Sequence, residues 1–353
     1  MKHSNAKVGI VGGGLAGIYT AYLLQKNCIS FQLLEAKPFL GGRIYGEVTQ
    51  SDGYKVDLGP SWVFPHQHKI QQLVQTLGLK LVDQFNQGDA IFQRNANETP
   101  QQVSGQAPPP MYRIAGGTTQ LIETLAERIP SKHIALDTTV SKLEFNGEFW
   151  GVYTSSMQDQ ECSKSLQFEH IVIAMPPRIT ADKLTLSSIF ASQLSPTAKP
   201  ETNATSLEKL LHKFASTPTW MSAQAKFVVI YKTPFWREHG LSGQAFSHVG
   251  PMVEIHDASH EDESGKSVYA LFGFIGVPFP QRQQISKEAM NKACTAQLIS
   301  LFGKDASEYL QTYIKDWATD SLITSALDQT QGSSHPQIEL RSERAWLSHV
   351  KLH

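Results

Sequence analysis

Apolar residues first cluster in a short run, Lys7 to Val11, that reads as a buried strand. Three glycines follow, then a helical stretch from Leu15 to Lys26 and a second apolar run from Phe31 to Glu35. Strand, turn, helix and strand fit within the ~30 residues of a βαβ unit. Ile70, Leu73, Val74 and Leu77 recur at helical spacing and stop at Gly78, which predicts a helix closed by glycine. Another helix is predicted from Thr118 to Arg128, with Leu121, Ile122, Leu125 and Ile129 on its inner side. Residues 134–154 read as paired strands around the turn signal Asn146-Gly147. Ile171 to Ala174 is a buried strand closed by Met175-Pro176-Pro177, and the polar stretch Ser195 to Asn203 reads as a loop. Strands near 225–231, 251–256 and 267–274, then a helix near 286–302, predict a second sheet.

At 353 residues the chain is long for one core, so one large or two interlocked domains are expected. Its 41% apolar and 18% charged residues are an ordinary globular balance. A formal charge of −1, with both signs mixed along the chain, argues against nucleic acid, an anionic membrane or a polyanionic substrate. The basic start Met1 to Lys7 is not followed by a signal-peptide stretch, and no run approaches the ~18 apolar residues of a membrane span. Cys28, Cys162 and Cys294 are odd in number and far apart, which favours a reducing compartment. A soluble, cytoplasmic protein with no membrane contact is expected.

Candidate chemistry begins at Gly12-Gly13-Gly14-Leu15-Ala16-Gly17, a G-x-G-x-x-G pattern between strand and helix. Gly12 permits the tight turn, Gly14 lets a pyrophosphate approach the backbone, and Gly17 seats the helix on the sheet. The amides of Leu15 and Ala16 then stand at a helix N-terminus, where phosphate binds well. Glu35 lies 18 residues after Gly17, at a strand tip, placed to take ribose hydroxyls. Dinucleotide binding follows.

Which dinucleotide is decided by the next segment. Glu35-Ala36 precedes Gly41-Gly42-Arg43, and Val56-Asp57-Leu58-Gly59-Pro60-Ser61-Trp62 comes after. That order resembles the flavin-containing amine oxidase family, the monoamine and polyamine oxidases, where E-A-x-x-x-x-G-G-R and D-x-G-x-x-W/Y elements flank FAD. Arg113-Ile114-Ala115-Gly116-Gly117 is similar to the family's glycine pair, and Ile171 to Pro177 to its V-I-x-A-x-P-P strand. Lys226 to Trp236 is similar to its K-x-x-x-x-Y/F-x-x-P-F-W block, and Asp316-Trp317 to the tryptophan near the flavin.

The resemblance implies an α/β fold: a Rossmann-type FAD-binding domain (1–80, 113–215, 318–353) interleaved with a smaller substrate domain of mixed sheet plus helix (81–112, 216–317). It implies FAD contacts from the glycine turn, Glu35, Ala36, Gly42, Arg43, Gly59, Pro60, Ser61 and Trp62, from Val140 beside the adenine, and from Trp317. Lys226 is implied to hold a water at the flavin N5 atom; the residue-level alternative is a strand-start lysine reaching out to solvent. Leu327 stands where the family has an aromatic substrate-cage residue. Ala326 occupies the covalent attachment position, so non-covalent FAD is expected. The implied reaction moves hydride from the carbon beside an amine nitrogen to FAD, with O2 reoxidising the flavin to give hydrogen peroxide.

Departures keep other readings open. Residues 85–112 are short and proline-bearing where the family inserts helices, so a differently shaped substrate site is expected. The chain stops at Val350-Lys351-Leu352-His353, before the family's last FAD motif, so FAD below full occupancy is expected. A degenerate flavin-binding protein or a desaturase-like FAD enzyme remains an alternative. An amino-acid oxidase is disfavoured, because relatives of that kind place an arginine at the position of Trp62. His66-x-His68 offers no third metal ligand, and His256-Asp257 to His260-Glu261-Asp262-Glu263 reads as a solvated turn. Trp220, Phe227, Phe235 and Trp236 are expected in the core. No G-x-S-x-G elbow or cysteine–histidine nucleophile motif is present.

Overall fold

The computed structural model describes residues 6–49, 53–104, 110–156, 164–188, 201–261 and 267–331. The strand Val8–Val11 is buried at all four positions because parallel neighbours cover both its edges: Val8 stands opposite Phe31 on one side and His170 on the other. Ile134–Ala135 extends this sheet beyond Phe31–Leu34. The helices Leu15–Lys26 and Thr119–Glu127 pack on it, joining Ile18 and Ala21 to Leu121, Ile122 and Leu125 in one core with Ile10, Phe31 and Leu33. Gly17 makes that approach possible: a Cβ there would lie 1.9 Å from the Gly12 carbonyl oxygen. The helix His68–Leu77 ends at Gly78 in the left-handed region (φ 80°), as the glycine stop predicts.

A second sheet is ordered Lys164–Phe168, Trp150–Ser156, Thr138–Phe145, Thr185–Ser188. Its central hairpin turns where expected, with the Asn146 Oδ1 accepting from the amides of Glu148 and Phe149 and Gly147 at φ 104°. Val140 is buried here, beside a bulge.

The third sheet has eight strands. Along its main path they run Tyr309–Asp316, Ala225–Tyr231, Ser267–Ile275, Met252–Asp257, Leu241–Ser247, Asp89–Gln93 and Gln101–Val103. Ala225–Tyr231 is buried at every position, which explains its unbroken apolar reading. Phe227, Val229 and Tyr231 pack toward Met290, Cys294 and Leu298 of the helix Lys287–Phe302. Val228 and Ile230 face the other way, against Val56 and Leu58. Through that second face the glycine-turn half meets the large sheet.

Several expectations need correction. Strands Leu241–Ser247 and Tyr309–Asp316, and the short ones at Leu81–Asp83, Asp89–Gln93 and Gln101–Val103, interrupt apolar residues with Ser, Gln, Thr and Lys, so their pattern is weak. Helix Glu201–Ser216 begins inside the stretch read as a loop, of which 195–200 lie outside the described residues. The supposed solvated turn is enclosed: His256, Asp257 and His260 are buried, with the Asp257 carboxylate taking Trp236 Nε1 and Arg237 Nε, each at 2.8 Å. Asp262 and Glu263 lie outside the described residues, as do Cys162 and the chain's last segment. Trp220 is exposed rather than core, unlike Phe227, Phe235 and Trp236. No helix among the described residues is long and apolar enough to cross a membrane.

Since a Cβ on Gly17 would run into the Gly12 backbone, Gly17→Ala should lower unfolding stability by about 2 kcal/mol or more, read as a fall in the urea midpoint. Gly151→Ala is the control: its Cβ would meet nothing nearer than 3.5 Å, so its midpoint should stay close to wild type.

Candidate functional site

Two glycine turns face each other at the head of the first sheet. Gly41 N–H donates to the Gly13 carbonyl at 2.8 Å, and Gly14 and Gly41 form an isolated parallel bridge. Gly42 adopts φ 60°, and a Cβ on it would come within 3.2 Å of Gly14 Cα. Helix Leu15–Lys26 starts at Gly14 with no side-chain cap and no acidic residue in its first turn. Its terminal amides and positive dipole end are thus left suited to an anion. Glu35 is buried at the strand tip and accepts the amides of Gly13 and of Lys37, the latter at 2.8 Å. The glycine turn and the acid predicted to serve one ligand are therefore in contact. Ala36 is half-buried beside them, and Arg43 is exposed with Nη1 donating to the Trp220 carbonyl at 2.8 Å.

Residues 57–62 bridge to the large sheet. A Cβ on Gly59 would sit 2.0 Å from the Arg43 carbonyl oxygen, so only glycine lets this segment pass. Pro60 is exposed, Ser61 buried and Trp62 half-buried. Trp317 is buried and donates from Nε1 to the Leu58 carbonyl at 3.0 Å, pinning the segment from the far side.

Lys226 enters this seam from Ala225–Tyr231, the strand next to the edge strand Tyr309–Asp316. Only 2% of it is exposed, which excludes a strand-start lysine reaching out to solvent. Its Nζ donates to Gly59 O at 3.1 Å and to Ser61 Oγ at 2.5 Å, and lies 4.1 Å from the Phe272 ring centroid. Burial pushes its pKa down to about 7; the Asp57 carboxylate opposes the shift, and the Arg113 guanidinium adds to it. Asp57 itself is fixed by Thr118, whose amide and hydroxyl donate to Oδ1 at 2.9 and 2.7 Å. Arg113 lies 3.7 Å from Asp57 Oδ2, and burial lowers its pKa too. The result is an enclosed amine that can change charge near neutral pH.

Next to Lys226 is an aromatic group. Trp62 meets His256 (4.7 Å between ring centroids), Phe272 (5.3 Å) and Phe274 (6.1 Å). Its Nε1 donates to Gln84 Oε1 at 2.8 Å. Leu327 stands outside this group, half exposed on the helix Ala326–Gln331. His66 and His68 are exposed at a helix start, and no metal-holding group of three His, Cys, Asp or Glu occurs among the described residues. Sequence reading missed Arg113, Phe272, Phe274 and the His256–Glu254 pair as neighbours of the site. Phe272-Gly273-Phe274 carried the signal, since residues two apart on a strand share one face.

A family model described as flavin containing amine oxidoreductase matches residues 15–111 and 95–345. A Dictyostelium discoideum protein named "Probable flavin-containing monoamine oxidase A" is 25% identical over 346 aligned positions, covering 76% of this chain and 74% of that one. Putrescine oxidase of Kocuria rosea is 24% identical over 194 positions, 51% of this chain and 36% of the relative's length. The structure of wild-type putrescine oxidase bound to putrescine superposes with a TM-score of 0.72 at 17% identity, covering 92% of this chain and 88% of that one. That last likeness concerns the fold.

Lys226 carries its charge in the unfolded chain up to its ordinary value of 10.5, but only to about 7 when folded. Between those values the unfolded state binds more protons, so rising pH favours folding through this group. In cofactor-free protein, Lys226→Met should therefore gain most relative to wild type below pH 7. That relative gain should shrink by about 1.4 kcal/mol per pH unit above it, as urea midpoints at pH 6, 8 and 9 would show.

Proposed function

The chain belongs to the flavin containing amine oxidoreductases, and from that premise we propose that it oxidises amines at the seam where Lys226 meets Gly59 and Ser61. The residues at the head of the first sheet fit FAD. The facing glycine turns hold no Cβ against a pyrophosphate, and the helix behind them has an uncapped N-terminus. Glu35 brings a buried carboxylate to the place where ribose hydroxyls need an acceptor. Val140 and Trp317 would line the adenine and ring ends. Ala326 offers no sulfur for a covalent link, so the cofactor would be held without one.

When bound, FAD supplies a ring that accepts hydride from the carbon beside an amine nitrogen and passes its electrons to dioxygen, giving hydrogen peroxide. Lys226 would act through water. Two of its N–H directions are taken by Gly59 O and Ser61 Oγ, and an ammonium has three donors. The remaining donor would fix a water at the N5 edge of the ring, and the seam would keep bulk solvent away. Trp62, Phe272 and Phe274 would wall the amine site, with 81–112 and 216–317 forming the substrate-facing part. The observation that carries this reading is the enclosed Lys226 amine, held by the same short segment that follows the Gly41-Gly42-Arg43 turn.

Glu35→Ala removes a charge-assisted acceptor, typically ~1.5–3 kcal/mol, and should raise the Kd for FAD about tenfold or more in titrations of apoprotein. Unchanged affinity would count against this assignment. Lys226→Met keeps the apolar stem and removes every donor. FAD should still bind, while reoxidation of reduced flavin under air should slow by ~10²-fold in stopped-flow traces. Wild-type rates in both half-reactions would reduce Lys226 to a structural lysine.

A further inference from the structure

The strand register sets Lys226, Phe274, Glu254 and Phe246 in one row. Lys226 stands opposite Phe274, Phe274 opposite Glu254, and Glu254 opposite Phe246. Directly opposed residues share a face of a sheet, so all four project to the side on which Trp62 and Ser61 lie. Lys226 and Glu254 are two strands apart, or ~9.5 Å at ~4.8 Å per strand, a span that a short alkyl chain bridges.

The electrostatics at the far end of the row are incomplete. Glu254 Oε1 meets His256 Nε2 at 2.6 Å, and the imidazole is itself buried, stacked on Phe272 at 5.5 Å. Among the described residues no lysine or arginine pairs with this carboxylate, whose side chain is 39% exposed. Around it stand Phe274, the Phe246 ring (38% exposed) and, through His256, Trp62. Aromatic faces carry partial negative charge, so an anion among them gains nothing from the rings. A cation placed there gains from both carboxylate and rings. Apart from the His256 imidazole, no group among the described residues offers this carboxylate a positive charge, and the surroundings are complementary to one.

We propose that Glu254, held by His256, is the specificity-determining carboxylate of the amine site and takes the second cationic group of a short diamine. This rests on the amine oxidoreductase reading and adds a substrate class to it. One end of the diamine would lie beside Lys226 for oxidation, with its chain along Phe274 and its distal ammonium at Glu254. A monoamine of equal length would leave the carboxylate without a partner and bring a methyl group to a polar end.

The test compares 1,5-diaminopentane with 1-aminopentane on the FAD-loaded protein and on Glu254→Gln, which keeps size and removes charge. Wild type should favour the diamine in kcat/KM. The substitution should cut the diamine-to-monoamine ratio about tenfold or more, chiefly through KM, because a charge-assisted contact to bound substrate is lost. Flavin absorbance under anaerobic conditions separates the two levels of failure. If amines bleach the flavin but the ratio is the same in both proteins, the role of Glu254 is overturned and the amine reading stands. If neither amine bleaches it while FAD is bound, both fall together.

Discussion

A lysine amine shut between the large sheet and the segment 57–62 is an expensive feature, and much of the architecture is arranged around it. Lys226 lies on a strand buried on both faces, so its stem must cross apolar packing before the nitrogen finds a partner. Burial above all disfavours the charge, with the Arg113 guanidinium adding to it, which is why its titration falls near neutrality. The partners it finds, Gly59 O and Ser61 Oγ, belong to the other half of the fold. The contact therefore joins the two halves and depends on both being in register.

That register is maintained by separate devices. Gly59 lets the segment pass against the Arg43 backbone, and Trp317, just past the end of the edge strand, ties the Leu58 carbonyl. Asp57 links the start of the segment to the helix Thr119–Glu127 through Thr118, and that helix packs on the βαβ unit. A chain of short contacts thus runs from the glycine turns at Gly14 and Gly41 to the amine on the strand Ala225–Tyr231. The candidate cofactor seat and the candidate reaction centre are parts of one packed structure.

Legibility in the sequence followed local physics. The βαβ unit was readable because its strands, glycines and helix are all set by nearest neighbours, and Val8–Val11, Leu15–Lys26 and Phe31–Leu34 fall where the pattern puts them. Gly78 announced its helix end because glycine alone relieves the left-handed strain there. Strands whose faces are covered by distant segments were harder: Tyr309–Asp316 shows mixed polarity because one side meets the helix Lys287–Phe302 and the other meets Tyr45 and Trp317. His256 and Asp257 looked like surface residues for the same reason. Their burial comes from Arg237, Trp236 and Trp62, which no window around residue 256 contains. Lys226 was legible as a position, but its enclosure by residues 59–61 required the tertiary fold.

The central claim is that the enclosed Lys226 amine addresses the flavin. A structure of the FAD-loaded protein tests it most directly, through the contacts of Lys226 Nζ. The account predicts that Nζ keeps Gly59 O and Ser61 Oγ and reaches the flavin N5 atom through a single bridging water. A bound flavin whose N5 edge is turned away from Lys226, with no shared water, would contradict it.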